Sequence, residues 1–215
     1  MSNIKDSHQA IDIFPQMISM VRLPDNNIID TFEQIIKRNN HVEYNHRDNR
    51  LKHYHNNENV LSLYPELKQT HDDILNAANY VYQDVLNHTS DLRFTNSWFN
   101  ECDIGGSQNF HNHCNSVLSG TVYYVTDKHT NLMFQSPYHS PSIICNSLQD
   151  EPDRNKPNSL GYNYHHSHVT IPIEQNMCLF WESYLHHGYN NNQTPNRMSL
   201  SFNLLPNNVN QTYKI

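Results

Sequence analysis

Apolar residues recur at helical spacing in two stretches of the first 90 residues. In NNIIDTFEQIIKR they fall at Ile28, Phe32, Ile35 and Ile36. YPELKQTHDDILNAANYVYQDVLNH repeats this spacing, and its apolar face comprises Leu67, Ile74, Ala78, Val81 and Val85. Each pattern predicts an amphipathic helix with one buried face. The polar stretch between them, residues 38–60, follows neither a helical nor a strand period and is predicted to be irregular.

From Asp91 onward, alternation replaces the helical period. In LRFTNSWFNEC one face would hold Phe94, Asn96, Trp98 and Asn100. Further β-prone runs follow in the order SGTVYYVT, TNLMFQS, HVTIPI, NMCLFWES and RMSLSFNLL. Short strands of this kind, joined by turns and flanked by helices on one side, indicate the α+β class. The natural closure of such a strand set is a jelly roll, that is, a cupin-like double-stranded β-helix.

The length of 215 residues suits a single domain. We expect residues 1–90 to form a helical support and residues 91–215 to form the jelly-roll core. One long break interrupts the strands between Ser136 and Tyr164, where Pro, Asn and Ser dominate without any period. A loop of this length is either a functional lid or a surface insertion.

Charge and composition exclude several classes of protein. The formal net charge of −7 provides no basic surface, so nucleic acid is an unlikely partner. No apolar run reaches the ~18 residues that cross a bilayer, and the first residues do not resemble a signal peptide. The four cysteines form no CxxC pair. We therefore expect a soluble cytoplasmic protein with reduced thiols, and the sequence leaves a homodimer open.

The sixteen histidines include one pair whose context favours a metal site. His111 and His113 precede an aromatic run in NFHNHCNSVLSGTVYYV. Residues i and i+2 of an extended chain point to the same side, so both imidazoles can bind one ion. Asn115 and Cys114 are weaker candidates. Downstream, the adjacent His186 and His187 point to opposite sides of a strand, so only one of them can reach that ion.

Two other histidine clusters are weaker candidates for metal ligands. His53 and His55 lie in the polar stretch between the helices, and we expect them to be solvated. His165, His166 and His168 precede a strand, where contact with a substrate is a better interpretation than metal binding.

The run RMSLSFN places Arg197, Ser199 and Ser201 on one face of a strand. An arginine held on a strand can bind a carboxylate with two parallel hydrogen bonds. The alternative for Arg197 is a surface ion pair. Three aligned polar side chains indicate either a wet cavity or simple exposure to solvent.

The order of these motifs resembles that of the Fe(II)- and 2-oxoglutarate-dependent oxygenases. The resemblance rests on NSWFN, GGSQNFHNHCNSVLSGTVYYV, LFWESYLHHGYNNN and NRMSLSFN, and it covers Asn96 to Asn203. Within that superfamily, the pattern is most similar to small oxygenases of bacteria and bacterial viruses, so a viral origin is open.

The resemblance implies a role for each matched residue. His111, His113 and His187 would be the ligands of Fe(II), with His113 in the place of the usual Asp or Glu and Asn115 as its alternative. Three further residues would bind the co-substrate 2-oxoglutarate: Arg197 and Ser199 at its far carboxylate, and Tyr124 from the neighbouring strand. Tyr123 is the less favoured alternative to Tyr124.

The implied activity is hydroxylation of a small molecule or peptide by O2, with decarboxylation of 2-oxoglutarate to succinate. One rival is a cupin-like metalloprotein that uses three histidines without 2-oxoglutarate, and it predicts a surface location for Arg197. The other rival is a non-enzymatic β-sandwich module, for instance carbohydrate-binding, with an aromatic platform at Trp98, Trp181 or the Tyr-rich loop.

Overall fold

The computed structural model describes residues 16–26, 28–38, 43–45, 48–54, 59–137 and 168–209. In these ranges the helices are α1 (Ile28–Arg38), α2 (Val60–Leu63) and α3 (Lys68–Tyr80). A 3-10 turn, Pro65–Leu67, precedes α3, and a π-helical turn, Val81–Val85, follows it. The strands are β1 (Ile18–Arg22), β2 (Glu43–Asn45), β3 (Asp48–Tyr54), β4 (Leu92–Cys102), β5 (Gln108–His111), β6 (Leu118–Val125), β7 (Asn131–Gln135), β8 (His168–Pro172), β9 (Met177–Glu182), β10 (His187–Tyr189) and β11 (Arg197–Pro206).

The strands form two sheets in which all neighbouring strands are antiparallel. The larger sheet has the order β1-β9-β6-β11-β4-β3-β2, and the smaller one has the order β5-β10-β7-β8. Each strand predicted after Asp91 is present, which confirms the antiparallel strand set with few helices. Phe134 of the smaller sheet packs edge-on against Trp181 of the larger one, with ring centroids 5.3 Å apart. The two sheets therefore face each other.

Alternation on the central strands gives the larger sheet two different faces. Leu118, Val122, Leu200 and Phe202 belong to an apolar core on the face that the helices cover. Gly120 of β6 also lies on this face, where an added methyl group would overlap the ring of Phe202. The opposite face holds polar residues such as Thr121 and Ser201, and it points toward the smaller sheet. The strand period thus separates the hydrophobic core from a polar interior.

The helices pack as their apolar periods predict, with one exception. Ile28, Phe32 and Ile35 of α1 are buried, and so are Leu67, Ile74, Ala78 and Val81 around α3. Val85 was expected on the same face, but its side chain is 47% exposed. The π-helical turn at Val81–Val85 accounts for this difference. Its wider turn shifts the inward face by one residue, so that Leu86 packs against the core instead of Val85.

Three strands lie where the sequence predicted only helical support or irregular chain. β2 and β3 fall within the polar stretch 38–60, and β1 lies before the first helix. β3 pairs with β4, and β1 pairs with β9, so these strands extend the larger sheet at both ends. Backbone pairing with an existing strand satisfies their N–H and C=O groups, and an apolar period is not required for that pairing.

A bulge in β4 also changes a predicted face. Phe94 pairs with Leu204, whereas Asn96 pairs with Asn203, so Thr95 is an extra residue. Because a bulge reverses the alternation, Phe94 packs in the helix-side core and not on the face of Trp98. No helix of the described residues is long and apolar enough to cross a membrane.

Candidate active site

A polar cavity lies between the two sheets. Its lining combines four histidines, one arginine, hydroxyl and amide side chains, and aromatic rings. The lining residues are Leu51, His53, Trp98, Asn100, Gln108, His111, His113, Thr121, Tyr123, Leu132, His187, Tyr189, Arg197, Ser199 and Ser201. The cavity therefore contains five of the six residues that the sequence assigns to the metal and the co-substrate, and Tyr124 is the exception.

Three imidazoles converge at one position in this cavity. One ligand atom from each of His111, His113 and His187 lies within 4.8 Å of the other two. The Nε2 atoms of His113 and His187 are 3.3 Å apart. Metal–nitrogen bonds of about 2.0–2.1 Å place adjacent ligand atoms roughly 3 Å from each other. The three rings therefore have the chemistry and the spacing to bind one divalent ion.

The smaller sheet brings two of the three ligands together. His111 at the end of β5 is directly opposite His187 at the start of β10. Gly188 permits this close pairing, because an added Cβ would lie 2.5 Å from the carbonyl oxygen of Gln108. His113 lies beyond β5, where its backbone N–H donates to the carbonyl of Ser183 over 2.9 Å. The i, i+2 spacing brings the imidazoles of His111 and His113 to one position, although His113 lies just beyond the strand.

Aromatic rings surround the histidines and keep their surroundings apolar. The rings of Trp181 and His187 have centroids 4.6 Å apart, and those of Trp98 and His113 are 5.7 Å apart. Trp181 is only 1% exposed, which excludes it as a platform for a carbohydrate ligand. His187 is 5% exposed, so the ion would bind at a site largely closed to solvent on this side.

Burial keeps the three imidazoles neutral. Desolvation lowers the pKa of His113 to about 4, with a smaller contribution from the nearby His111. Desolvation also lowers the pKa of His187 well below its ordinary value, and His111 and His113 add to the effect. The pKa of His111 is lowered for the same main reason. Neutral imidazole is the form that binds a metal ion, so all three rings have the net charge that metal binding requires near neutral pH.

Arg197 is a buried cation in the same cavity. Its side chain is 4% exposed, and its guanidinium lies 3.7 Å from the ring centroid of Tyr189. Its Nη2 donates to the carbonyl of Asn131 over 2.9 Å and points to the hydroxyl of Tyr123 at 3.5 Å. Among the residues that the structure describes, no carboxylate forms an ion pair with Arg197. A surface ion pair for Arg197 is therefore wrong.

Tyr124, the tyrosine predicted to contact the co-substrate, does not face the cavity. Tyr124 belongs to the helix-side core, and its hydroxyl is buried without a hydrogen-bond partner in the described parts of the chain. Tyr123 lines the cavity and contacts Arg197. Ser199 pairs with Tyr123 across β11 and β6, and it also lines the cavity. Adjacent strand residues point to opposite faces, so the fold decides which of the two tyrosines faces the cavity.

His53 lines the cavity, although its sequence context predicted a solvated loop. On β3 it is directly opposite Asn100 of β4, and its Nδ1 lies 2.7 Å from the Asn100 Oδ1 atom. The amide of Asn100 donates in turn to Ser201 over 2.9 Å. In an extended chain, Leu51 and His53 share one face and Lys52 lies on the other. This alternation could have indicated a strand there.

The remaining histidine and loop predictions lie outside the cavity or outside the described residues. His186, Cys114 and Asn115 are exposed, and none of them lines the cavity. His168 is exposed at the start of β8. His55, His165 and His166 lie outside the described residues, as does the predicted lid of Ser136 to Tyr164 from position 138 onward.

The chain matches one family profile. The profile of the family described as "Putative 2OG-Fe(II) oxygenase", where 2OG is 2-oxoglutarate, matches residues 96–203, half of the chain. The matched region runs from Asn96 in β4 to Asn203 in β11. It includes all three converging histidines, His111, His113 and His187. No curated protein sequence matches the chain.

Several solved structures share the fold. HygX from Streptomyces hygroscopicus, with nickel and 2-oxoglutarate bound, has a TM-score of 0.58 and 13% identity, over 89% of this chain and 84% of HygX. SnoN, a non-heme α-ketoglutarate-dependent epimerase from nogalamycin biosynthesis, has a TM-score of 0.58 and 14% identity, over 87% and 76%. A 2OG-Fe(II) oxygenase family oxidoreductase from Burkholderia pseudomallei has a TM-score of 0.54 and 11% identity, over 86% and 83%. At these identities the likeness concerns the fold.

Proposed function

Because the chain belongs to the 2OG-Fe(II) oxygenase family whose profile it matches, we propose that it is an Fe(II)- and 2-oxoglutarate-dependent dioxygenase. The observation that supports this most directly is a buried arginine without a carboxylate partner in the described chain, in the same cavity as three histidines. A buried charge is costly unless it is paired, so the cavity favours an anionic ligand. A dicarboxylate can pair with the arginine through one carboxylate and bind the metal ion through its other end.

His111, His113 and His187 would bind Fe(II). The usual ligand set of such enzymes is two histidines and one carboxylate, with open positions left for co-substrate and O2. Here the second position is a neutral imidazole, which leaves the site one unit more positive. The chemistry supplied by bound iron and 2-oxoglutarate is the activation of O2, with release of CO2 and succinate.

The chain's own residues would bind and orient the co-substrate. Arg197 would bind its far carboxylate with two parallel hydrogen bonds, and stacking on Tyr189 holds the guanidinium in place. Burial raises the pKa of the Tyr123 hydroxyl, although Arg197 partly offsets the effect, so Tyr123 stays neutral and can donate to the same carboxylate. Ser199, on the same face as Arg197, would add a hydroxyl.

The substrate would bind along the wall of the cavity that β3 and β4 form beside β11. Trp98, His53 and Asn100 line this wall and are not used for metal or co-substrate. We propose hydroxylation of a small organic molecule or peptide at this wall. Small-molecule substrates agree with the HygX structure that contains hygromycin B. The reaction outcome needs a direct test, because SnoN is an epimerase and SnoK is a carbocyclase.

The finer features of the proposal follow the resemblance. They comprise one domain over residues 1–215, a double-stranded β-helix core, and a place among the small bacterial and bacteriophage oxygenases. The facing antiparallel sheets and the structural neighbours support the core architecture.

The wild-type chain tests the proposal directly. Under anaerobic conditions, Fe(II) and 2-oxoglutarate together should produce a weak visible charge-transfer band that neither produces alone. Admission of air should then release succinate in step with loss of 2-oxoglutarate. Absence of both the band and 2-oxoglutarate binding in a folded, metal-loaded sample would contradict the proposal.

The all-histidine ligand set favours one second candidate, a three-histidine dioxygenase that does not use 2-oxoglutarate. Such an enzyme would bind Fe(II) in the same experiment but would show no band with 2-oxoglutarate. The burial of Arg197 argues against it.

Phenylalanine substitutions of Tyr123 and Tyr124 test which of the two tyrosines contacts 2-oxoglutarate. Tyr123→Phe should weaken 2-oxoglutarate binding by about 1.5–3 kcal/mol, because it removes a hydrogen bond to a charged group. Tyr124→Phe should leave this affinity unchanged and raise the free energy of unfolding by about 1 kcal/mol, because it removes a buried hydroxyl without a partner. Calorimetric binding and urea unfolding measure the two effects. A larger binding defect in Tyr124→Phe would overturn the assignment.

A further inference from the structure

The Nδ1 atoms of the three histidines have two different kinds of neighbour. His111 and His187 face the backbone carbonyl oxygens of Asn109 and Leu185, at 2.9 and 3.1 Å. The amide nitrogen of Gln108 lies farther from the His111 Nδ1, at 3.5 Å. A carbonyl oxygen can only accept, so these two Nδ1 atoms carry protons and both Nε2 atoms keep lone pairs for a metal. The Nδ1 of His113 instead faces a side-chain amide, which can either donate or accept.

That amide belongs to Asn203, which is buried at the end of the polar row on β11. Its Nδ2 lies 3.3 Å from the His113 Nδ1. Its Oδ1 accepts a hydrogen bond from the hydroxyl of Ser119 over 2.7 Å. The Ser119 hydroxyl also lies 2.8 Å from the hydroxyl of Ser183. All of these side chains except His113 are at most 5% exposed, so the amide cannot exchange its partners for bulk water.

The hydrogen bonds present in the structure define a metal-free arrangement. When Asn203 donates to Nδ1 of His113, the proton of that neutral ring is on Nε2. This Nε2–H then donates to the Nε2 of His187, 3.3 Å away. Each side chain in this series from Ser119 to His187 therefore has a hydrogen-bond partner. In this arrangement, however, Nε2 of His113 has no lone pair for a metal ion.

We propose, on the basis of the function proposed above, that Asn203 is a positioning residue that selects the tautomer of His113. Rotation of the amide by 180° presents Oδ1 to the ring, so that Nδ1 carries the proton and Nε2 becomes a metal ligand. Ser119 accommodates both orientations, because its hydroxyl can accept from Nδ2 and donate to Ser183. The amide and the two serine hydroxyls keep hydrogen-bond partners in both orientations, and a bound metal ion would replace the hydrogen bond between His113 and His187.

Metal binding is therefore coupled to the orientation of one buried amide. The other two ligands have fixed tautomers, and His113 alone is switched between a form that binds metal and a form that bonds to His187. A carboxylate at position 203 could only accept, and it would hold His113 in the metal-binding form. Partners that orient metal-bound histidines commonly change metal affinity by about 10- to 100-fold when they are removed.

The test compares two substitutions that have the same size but opposite expected effects. Metal-free Asn203→Leu and Asn203→Asp are titrated with Co²⁺, with calorimetry and visible absorption as readouts. Asn203→Leu should bind Co²⁺ about 10- to 100-fold more weakly than the wild type. Asn203→Asp should bind at least as tightly as the wild type. Asn96→Leu and Asn96→Asp are matched controls, because Asn96 pairs with Asn203 across β4 and β11 but is exposed and does not line the cavity, so their Co²⁺ affinities should not change.

A second readout reports the tautomer itself. Nitrogen NMR of ¹⁵N-histidine-labelled, metal-free protein distinguishes Nδ1–H from Nε2–H rings. The wild-type His113 should be Nε2–H, and the Asn203→Asp protein should have it as Nδ1–H. An effect of position 203 on folding alone would not invert this tautomer.

The outcomes separate this inference from the proposed function. A folded wild type that binds no divalent metal would overturn both. A wild type that binds Co²⁺, together with an Asn203→Leu protein of equal affinity, would overturn the role of Asn203 alone. If a variant does not fold, the tautomer of His113 in the metal-free wild type is the deciding measurement. An Nδ1–H tautomer there would contradict the proposed arrangement.

Discussion

We expect His187→Ala to abolish binding of Fe(II) or Co²⁺. His187 adjoins both other ligands, with ring centroids 4.4 Å from His111 and 5.0 Å from His113. Its loss leaves two histidines and no carboxylate among the described residues at the site. The effect should exceed the roughly 10- to 100-fold loss that follows removal of an outer partner. Titration calorimetry with the metal-free protein measures it.

His186→Ala is the matched control for this prediction. The side chain of His186 is exposed, and its backbone carbonyl still accepts from the N–H of Gln135 after the substitution. Its metal affinity should equal that of the wild type. Thermal unfolding without metal shows whether His187→Ala keeps the fold. A folded His187→Ala protein with unchanged affinity would show that the ion binds elsewhere.

Arg197→Ala should retain the metal and lose the co-substrate. Removal of one partner from a buried, hydrogen-bonded charge pair costs about 2–5 kcal/mol, which is roughly 30-fold to several thousandfold in Kd. The metal affinity should not change, because the guanidinium contacts Tyr189, Tyr123 and Asn131 and no histidine. Anaerobic titration of the Fe(II)-loaded protein with 2-oxoglutarate, followed by the visible band, measures both properties in one sample.

Two further variants separate charge from geometry at this position. Arg197→Lys keeps the positive charge but lacks the planar fork, so its affinity for 2-oxoglutarate should fall between those of Arg197→Ala and the wild type. Arg93→Ala removes an arginine of β4 that does not line the cavity, and its affinity should not change. An Arg197→Ala protein with wild-type affinity for 2-oxoglutarate would remove the main support for the proposed function.

Periodicity was sufficient to predict most of the elements, but not all of them. It located the helical faces of Phe32 and Ile74 and the strands β4, β6, β7, β8, β9 and β11, since burial of one face leaves a regular apolar period. It missed β2 and β3, because these strands are added to the edge of a sheet through backbone pairing with β4. It also missed the change of face at Phe94, because a bulge of one residue leaves no mark in the apolar pattern.

The sequence by itself determined which chemical groups the protein can bring together. The i, i+2 spacing of His111 and His113 and the shared face of Arg197 and Ser199 are local properties of an extended chain, so they could be predicted without a fold. The order of these motifs was also sufficient to indicate the oxygenase family.

Only the tertiary structure decided which face of each strand became the interior of the site. Tyr123 faces Arg197, while Tyr124 enters the helix-side core. His53 reaches the cavity, and Asn203 contacts His113, from strands distant in sequence. A strand period fixes which residues share a face, but not which face the second sheet covers. That choice depends on the packing of helices against one side of the larger sheet, which is a long-range property that no short stretch of the sequence contains.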